Sequence, residues 1–101
     1  MKKILLCCCA GMSTSLLVTR MEAEAEKRGL EIKIWACSEK VFEEEFKKEP
    51  ADCVLVGPQI RYLLNTIRKQ AGGVPVELID MRTYGMMDGP KVLDMGLNLI
   101  K

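Results

Sequence analysis

The chain has 101 residues, with 15 Lys plus Arg against 14 Asp plus Glu and no His. That length suits a single domain, commonly about 100–150 residues, and 49% hydrophobic residues are enough for a core. The near-balanced charge argues against a nucleic-acid or membrane-surface binder, which needs a basic face, and the missing His removes Ser-His or Cys-His catalysis, imidazole metal ligation and a phosphohistidine on this chain.

Short apolar runs alternate with longer helical patterns, the signature of a parallel α/β fold. Lys3-Ile4-Leu5-Leu6-Cys7 has strand length and is apolar on both faces, as in a central strand covered by helices. Lys2 and Lys3 imitate a secretion signal, but the apolar run ends by Ala10 and Ser13-Thr14-Ser15 follows at once, at the short limit for one. Ser13 or Thr14 is the expected cap of a helix to about Arg28, with Leu17, Met21 and Ala25 on its buried stripe and Gly29 as its stop. Glu31 to Ala36 alternates, placing Ile32, Ile34 and Ala36 on one face of an edge strand whose other face is partly wet.

Ser38 opens a charged segment in which Phe42 and Phe46 pair at i, i+4, while Glu43-Glu44-Glu45 and Lys47-Lys48 read as a solvated face. Cys53-Val54-Leu55-Val56 is the second doubly apolar strand. Pro58 suits the first turn of a helix through Leu63, Leu64 and Ile67, ended by Gly72-Gly73. Val74 to Ile79 carries Pro75 near its start, which is tolerated at an edge. A last helix, Pro90 to Lys101, presents Val92, Leu93, Leu97 and Ile100 and is weakened by Gly96.

Two central and two edge strands joined by right-handed crossovers give one domain over residues 1–101, a three-layer α/β/α sandwich on a four-stranded parallel sheet of order 2-1-3-4. No run approaches the ~20 apolar residues that span a bilayer. Five Cys without paired spacing do not form a disulfide framework, and this usage is that of a cytoplasmic protein.

Chemistry concentrates in Cys8-Cys9-Ala10-Gly11-Met12-Ser13-Thr14-Ser15, which follows a buried strand and opens a helix. With that strand order the topological switch point falls between the first and third strands, and this loop walls the crevice there. Gly57-Pro58-Gln59 forms the other wall. Gly11 lets the backbone turn tightly, so that N–H groups at the helix start converge as an anion nest, with hydroxyls from Ser13, Thr14 and Ser15. The segment is therefore the expected phosphate-binding loop. A thiolate at Cys8 is favoured by the helix N-terminus, and a thiolate held against an anion cradle is what a phosphocysteine intermediate requires. Cys7 still belongs to the strand and points into the core; Cys9 contributes only its backbone N–H.

A cysteine-based phosphatase of this architecture carries Arg six positions after its Cys, and here Thr14 stands there. Arg20 lies more than a turn into the helix, and Arg82 follows the fourth strand. A cradle without Arg suits a carrier that accepts and then donates the phosphoryl group; hydrolysis is disfavoured.

These residues resemble the IIB component of the phosphoenolpyruvate-dependent sugar phosphotransferase system, lactose/cellobiose type. Cys8-Cys9-Ala10-Gly11-Met12-Ser13-Thr14-Ser15 is similar to that family's phosphorylation loop, Cys-x-Ala-Gly-Met-Ser-Thr-Ser. Further matches follow in order: Val54-Leu55-Val56-Gly57-Pro58-Gln59-Ile60, Pro75-Val76-Glu77, Ile79-Asp80, Tyr84-Gly85 and Asp88-Gly89. The family commonly has a residue other than Cys where this chain has Cys9. The resemblance implies that Cys8 takes a phosphoryl group from a histidine of the IIA component and passes it to a sugar, a cellobiose- or lactose-like β-disaccharide, entering through the membrane IIC component. The loop from Cys9 to Ser15 would hold the phosphoryl oxygens, with no metal and no cofactor. Transfer between proteins needs an exposed face, for which Met12, Gln59, Ile60, Tyr84 and Met86 are the candidates.

Plainer readings stand beside these. Free Cys is among the most buried residue types, and for Cys7 and Cys53 a core role is preferred. Three adjacent Cys cannot easily ligate one ion, and Cys-x-x-Cys and His are absent. Ser13 has no base to activate it as a nucleophile. The alternatives to the phosphoryl carrier are a small phosphatase or arsenate reductase and a non-catalytic anion-binding module.

Overall fold

Apolar runs on both faces dictate strands that helices must cover, and this is what the chain builds. The computed structural model describes residues 1–8 and 12–100, with Met12 and Ser13 described in backbone only. The elements in chain order are β1 (Lys2–Cys8), α1 (Met12–Lys27), β2 (Ile32–Ser38), α2 (Phe42–Lys48), β3 (Cys53–Val56), α3 (Leu64–Ala71), β4 (Val76–Leu78), α4 (Met81–Gly85) and α5 (Gly89–Leu99), with a 3₁₀ segment, Pro58–Leu63, before α3. The four strands form one parallel sheet in the expected order, β2-β1-β3-β4.

Side-chain alternation along β1 divides the core in two. Ile4 and Leu6 join Cys53 and Leu55 beneath Leu17, Met21 and Ala25 of α1 and Val92 and Leu93 of α5. Leu5 and Cys7 join Val54 and Val56 on the opposite face, beneath Phe42 and Phe46 of α2 and Ile67 and Ala71 of α3. The expected Phe42–Phe46 pair stacks with ring centroids 5.3 Å apart. Where α1 meets α5 the fit is tight: a Cβ on Gly89 would lie 2.7 Å from the Arg20 backbone. Gly29, at φ +71°, ends α1 as expected of a residue free to enter the left-handed region.

Several expectations are corrected. Helix α1 starts at Met12, so Ser13 and Thr14 occupy its first turn and are not its caps. The expected helix from Pro58 is broken: Ile60 is drawn into the core at 1% exposure with φ −118°, outside helical values, and α3 proper begins only at Leu64. β2 uses both faces, since Trp35 and Cys37 pack against the α2–α3 side while Ala36 is exposed. The fourth strand is shorter than Val74 to Ile79 because Pro75 can only accept through its carbonyl, from the Val54 N–H at 2.9 Å. Helix α4 was not expected; Asp80 caps it, its carboxylate accepting the Thr83 N–H at 3.0 Å. Among the described residues, no helix is long and apolar enough to cross a membrane.

Candidate functional site

β1 runs one residue past its last pairing with β3, Cys7 with Val56, and ends on Cys8. This is the switch point of the sheet, where the chain leaves β1 and β3 toward opposite sides. Cys8 is 3% exposed, and alternation from Ile4 and Leu6 places it on the α1 side. Its main-chain carbonyl accepts from the Glu39 N–H at 3.1 Å, and the Gly57 N–H donates to the Cys7 carbonyl at 2.9 Å, so both neighbouring strands hold the end of β1. Gly57 is needed for this closeness: a Cβ there would lie 3.1 Å from the Cys8 Cβ and 3.1 Å from the Gln59 Oε1. The Gln59 carboxamide and Cys8 therefore flank one point of the crevice.

Cys8 Sγ lies 2.6 Å from Thr14 Oγ1, and Thr14 Oγ1 lies 2.9 Å from the Tyr84 hydroxyl. Thr14 and Tyr84 are both buried. The sulfur thus faces the first turn of a 16-residue helix, whose leading N–H groups lack intrahelical partners and carry the positive end of the helix dipole. That environment favours a negative charge at the Cys8 position.

Two of the contacts among the described residues that help to hold α4, and with it Tyr84, come from Asp80 and Arg20. The Asp80 carboxylate accepts from both the backbone N–H and the hydroxyl of Thr83, at 3.0 and 2.9 Å, and these donors hold its pKa below the usual carboxylate range. From α1 the Arg20 guanidinium donates to the carbonyls of Met86, at 3.4 Å, and Met87, at 3.1 Å. Met87 sits at φ +51°, a left-handed conformation uncommon outside glycine, and Arg20 fastens this turn. Arg20 is thereby committed away from the crevice, and Arg82 is exposed on α4.

The other described thiols lie in different surroundings. Cys7 is fully buried; a hydrogen bond with Cys37, its register partner on β2, and then burial push its pKa well up. Burial pushes the Cys53 thiol up to about 12, and its Sγ approaches the Gly96 carbonyl at 3.6 Å. Among the described residues, no group of three His, Cys, Asp or Glu side chains is placed to hold a metal ion.

A family model for the phosphotransferase-system lactose/cellobiose-specific IIB subunit matches residues 3–95. The chain belongs to this family. It is 47% identical over 102 residues to the oligo-beta-mannoside-specific EIIB component of Bacillus subtilis strain 168, across 99% of this chain and 97% of that protein. It is 39% identical over 104 residues to the cellobiose-specific EIIB component of Lactococcus lactis subsp. lactis IL1403, across 98% of this chain and 96% of that one. Its fold matches the solution structure of the cellobiose-specific IIB component from Borrelia burgdorferi with a TM-score of 0.80 at 37% identity, covering 98% of this chain and 91% of that chain. The molecule is accordingly a IIB component of a lactose/cellobiose-type sugar phosphotransferase system, a subunit that works with other components of that system.

In this IIB chain Cys8 and Thr14 come together, and Ser15 is exposed in the first turn of α1. Cys9, Ala10 and Gly11 lie outside the described residues, as do the side chains of Met12 and Ser13. Of the expected docking face, Gln59 is exposed and Met86 is 62% exposed. Ile60 and Tyr84 are not part of it. Ile60 anchors the α2–α3 core, and Tyr84, 6% exposed, turns its hydroxyl inward to Thr14.

Sequence reasoning also missed the supports. Asp80 is an N-cap residue type, the local signal for α4. The Thr14–Tyr84 contact has no local signal, because it joins residues 70 positions apart.

Proposed function

We propose that Cys8 is the phosphoryl carrier of this IIB chain, accepting the group from a phosphohistidine of a IIA component and giving it to a sugar bound by a membrane IIC component. The observation that carries this reading is the Cys8 sulfur at the sheet's switch point, 2.6 Å from a hydroxyl in the first turn of α1. The Cys8 thiolate attacks phosphorus; the S–P bond forms as the P–N bond breaks, and its electron pair returns to the donor imidazole. In the second half a sugar hydroxyl attacks phosphorus and gives its proton to a base on the acceptor's side, the S–P pair returns to sulfur, and the thiolate is restored. The helix start offsets the negative charge in both halves, and the N–H groups from Cys9 to Ser15 hold the phosphoryl oxygens. Neither metal nor cofactor takes part, because the donor is already activated.

Thr14, standing where a phosphatase of this architecture carries Arg, favours transfer over hydrolysis. The chain acts as a single IIB domain in the cytoplasm. Its sugar is a β-linked disaccharide or short oligosaccharide, in keeping with the cellobiose- and oligo-beta-mannoside-specific relatives. Gln59 and Met86 belong to the face that meets the other components.

The test is the intact mass after incubation with phosphoenolpyruvate, the two general phosphotransferase proteins and a matched IIA. One added phosphoryl group is expected on wild type, none on folded Cys8→Ser, and none without IIA. A modified Cys8→Ser protein, or hydrolysis of an aryl phosphate that depends on Cys8, would overturn the carrier reading.

A further inference from the structure

Thr14 Oγ1 has one proton and two neighbours, the Cys8 sulfur at 2.6 Å and the Tyr84 hydroxyl at 2.9 Å. A threonine on a helix ordinarily turns its hydroxyl to a carbonyl one turn back, as Thr19 of α1 does to the Ser15 carbonyl at 3.0 Å. Thr14, in the first turn of α1 with no helical turn before it, spans two buried side chains from other elements. A phenol is far more acidic than an aliphatic alcohol and is the better donor of the two. When Tyr84 donates to Thr14, the Thr14 proton is left for the sulfur, and a thiolate needs a donor.

We infer that Tyr84 is a positioning residue for the carrier chemistry, acting through Thr14 to keep a hydroxyl proton directed at the Cys8 sulfur; this rests on the reading of Cys8 as carrier.

The arrangement serves both halves of the transfer. Before attack, Thr14 steadies the thiolate. Once the S–P bond has formed the sulfur has lost its charge, and the same hydroxyl, still held by Tyr84, turns to a phosphoryl oxygen. When the sugar hydroxyl displaces the sulfur, the S–P electron pair returns to it and the Thr14 proton meets the departing thiolate again. The proton of the attacking sugar hydroxyl goes to a base on the acceptor's side, and the Thr14 proton stays on Thr14 throughout. Tyr84 can do this because its own element is fixed, by Asp80 under Thr83 and by Arg20 on the turn that follows. Among the described residues, other titratable groups near this end of the sheet include Cys7, next in chain to Cys8, Cys37, paired with Cys7, and Glu39, whose backbone N–H meets the Cys8 carbonyl. Asp80 is committed to Thr83, and Arg20 to main-chain carbonyls.

The experiment follows the pH dependence of Cys8 alkylation by iodoacetamide, read by peptide mass, alongside IIA-dependent phosphorylation. It uses wild type, Thr14→Val, Thr14→Ser, Tyr84→Phe and the Thr14→Val/Tyr84→Phe pair, each checked for folding by circular dichroism. Thr14→Val removes a hydrogen bond to a charged group and should raise the alkylation midpoint by about 1 pH unit or more. Thr14→Ser restores the hydroxyl and should return most of that shift. Tyr84→Phe keeps the ring in the core and removes the donor to Thr14 and with it the cooperative strengthening, raising the midpoint by roughly 0.2–0.5 unit and slowing transfer in the same order. Because Tyr84 acts through Thr14, its loss should add nothing in the Thr14→Val background.

If Tyr84→Phe does not fold, 3-fluorotyrosine at that position in a Tyr62→Phe background gives the complementary measurement. Its stronger phenolic donor should lower the midpoint below wild type. A wild-type midpoint in folded Tyr84→Phe, an unmoved midpoint on fluorination, or a Tyr84 effect that persists without the Thr14 hydroxyl overturns the inference while leaving a phosphorylatable Cys8 in place. Failure of wild type to take up phosphate with an active IIA overturns the carrier reading, and with it the role given to Tyr84.

Discussion

Replacing Gly89 with alanine drives a methyl group into helix α1. Its Cβ would lie 2.7 Å from both the carbonyl carbon and the Cβ of Arg20 and 2.9 Å from the Arg20 carbonyl oxygen. Carbon–carbon contacts are favourable only near 3.5–4.0 Å, so the two helices must part by about 1 Å. A flexible side-chain tip could swing aside; a peptide unit in the middle of α1 cannot. Overpacking costs typically about 1–3 kcal/mol, and backbone as the obstacle places this case at the upper end. The opposing gain in helix propensity is at most about 1 kcal/mol and is smaller at the first position of α5. A net loss of about 2 kcal/mol lowers the melting temperature of a domain this size by roughly 8–16 °C.

Urea unfolding at 25 °C with a thermal melt measures this, and the urea midpoint should fall at constant slope. Arg20 also fastens the Met86–Met87 turn, so transfer should slow as Tyr84 loosens. Gly85→Ala is the control, since a Cβ there meets nothing within 4 Å. An unchanged or raised midpoint in Gly89→Ala, or equal damage from Gly85→Ala, would refute the reasoning.

Other substitutions probe separate parts of the molecule. Phe42 is fully buried in the α2–α3 core, and Phe42→Ala should cost about 3–5 kcal/mol in denaturant unfolding; a loss under about 1 kcal/mol would mean the site collapses around the gap. Cys53 keeps its proton in the folded chain to about pH 12, whereas the unfolded chain gives it up near the ordinary value of 9.0. Its contribution is therefore complete below that value and lost as pH rises toward 12, so wild type should lose stability there faster than Cys53→Ala; parallel curves would contradict it. Asp80 has a lowered pKa, so its contribution is present above its ordinary value of 3.8 and fades as acid protonates it. Asp80→Ala should be less stable than wild type at neutral pH, with the difference closing below that value; a constant difference would show that the charge plays no part. Gly57→Ala should fold yet slow phosphoryl transfer, because its Cβ presses on Cys8 at 3.1 Å; wild-type transfer rates would show that the crevice has room to spare.

The sheet was legible because its central strands are apolar on both faces, a pattern that leaves few other places for Ile4-Leu5-Leu6 and Val54-Leu55-Val56. The placement of Cys8 was legible because a strand end and a helix start fall within a few residues of each other there. What escaped was set by distant packing. Ile60 looks like a surface residue beside an exposed Gln59, and only the α2–α3 core explains why it turns inward and breaks the helix. Tyr84 looks like an exposed aromatic near a glycine, and only a partner 70 positions away explains its burial. Arg20 follows the same logic: its spacing from Cys8 argues against a phosphatase-like role without revealing that it fastens the turn between α4 and α5.

The divided core has a consequence for how such a chain can change. Cys8, Thr14, Tyr84 and the Asp80 and Arg20 contacts that support them all belong to the α1–α4–α5 side of the sheet, while Phe42, Phe46, Ile67 and Ala71 pack on the far side. Sequence drift or thermal hardening can be accommodated on the α2–α3 side with the sheet as a partition, whereas the α1–α4–α5 side must conserve shape to within a methyl group. The protein thus has one face on which to vary and one on which to react.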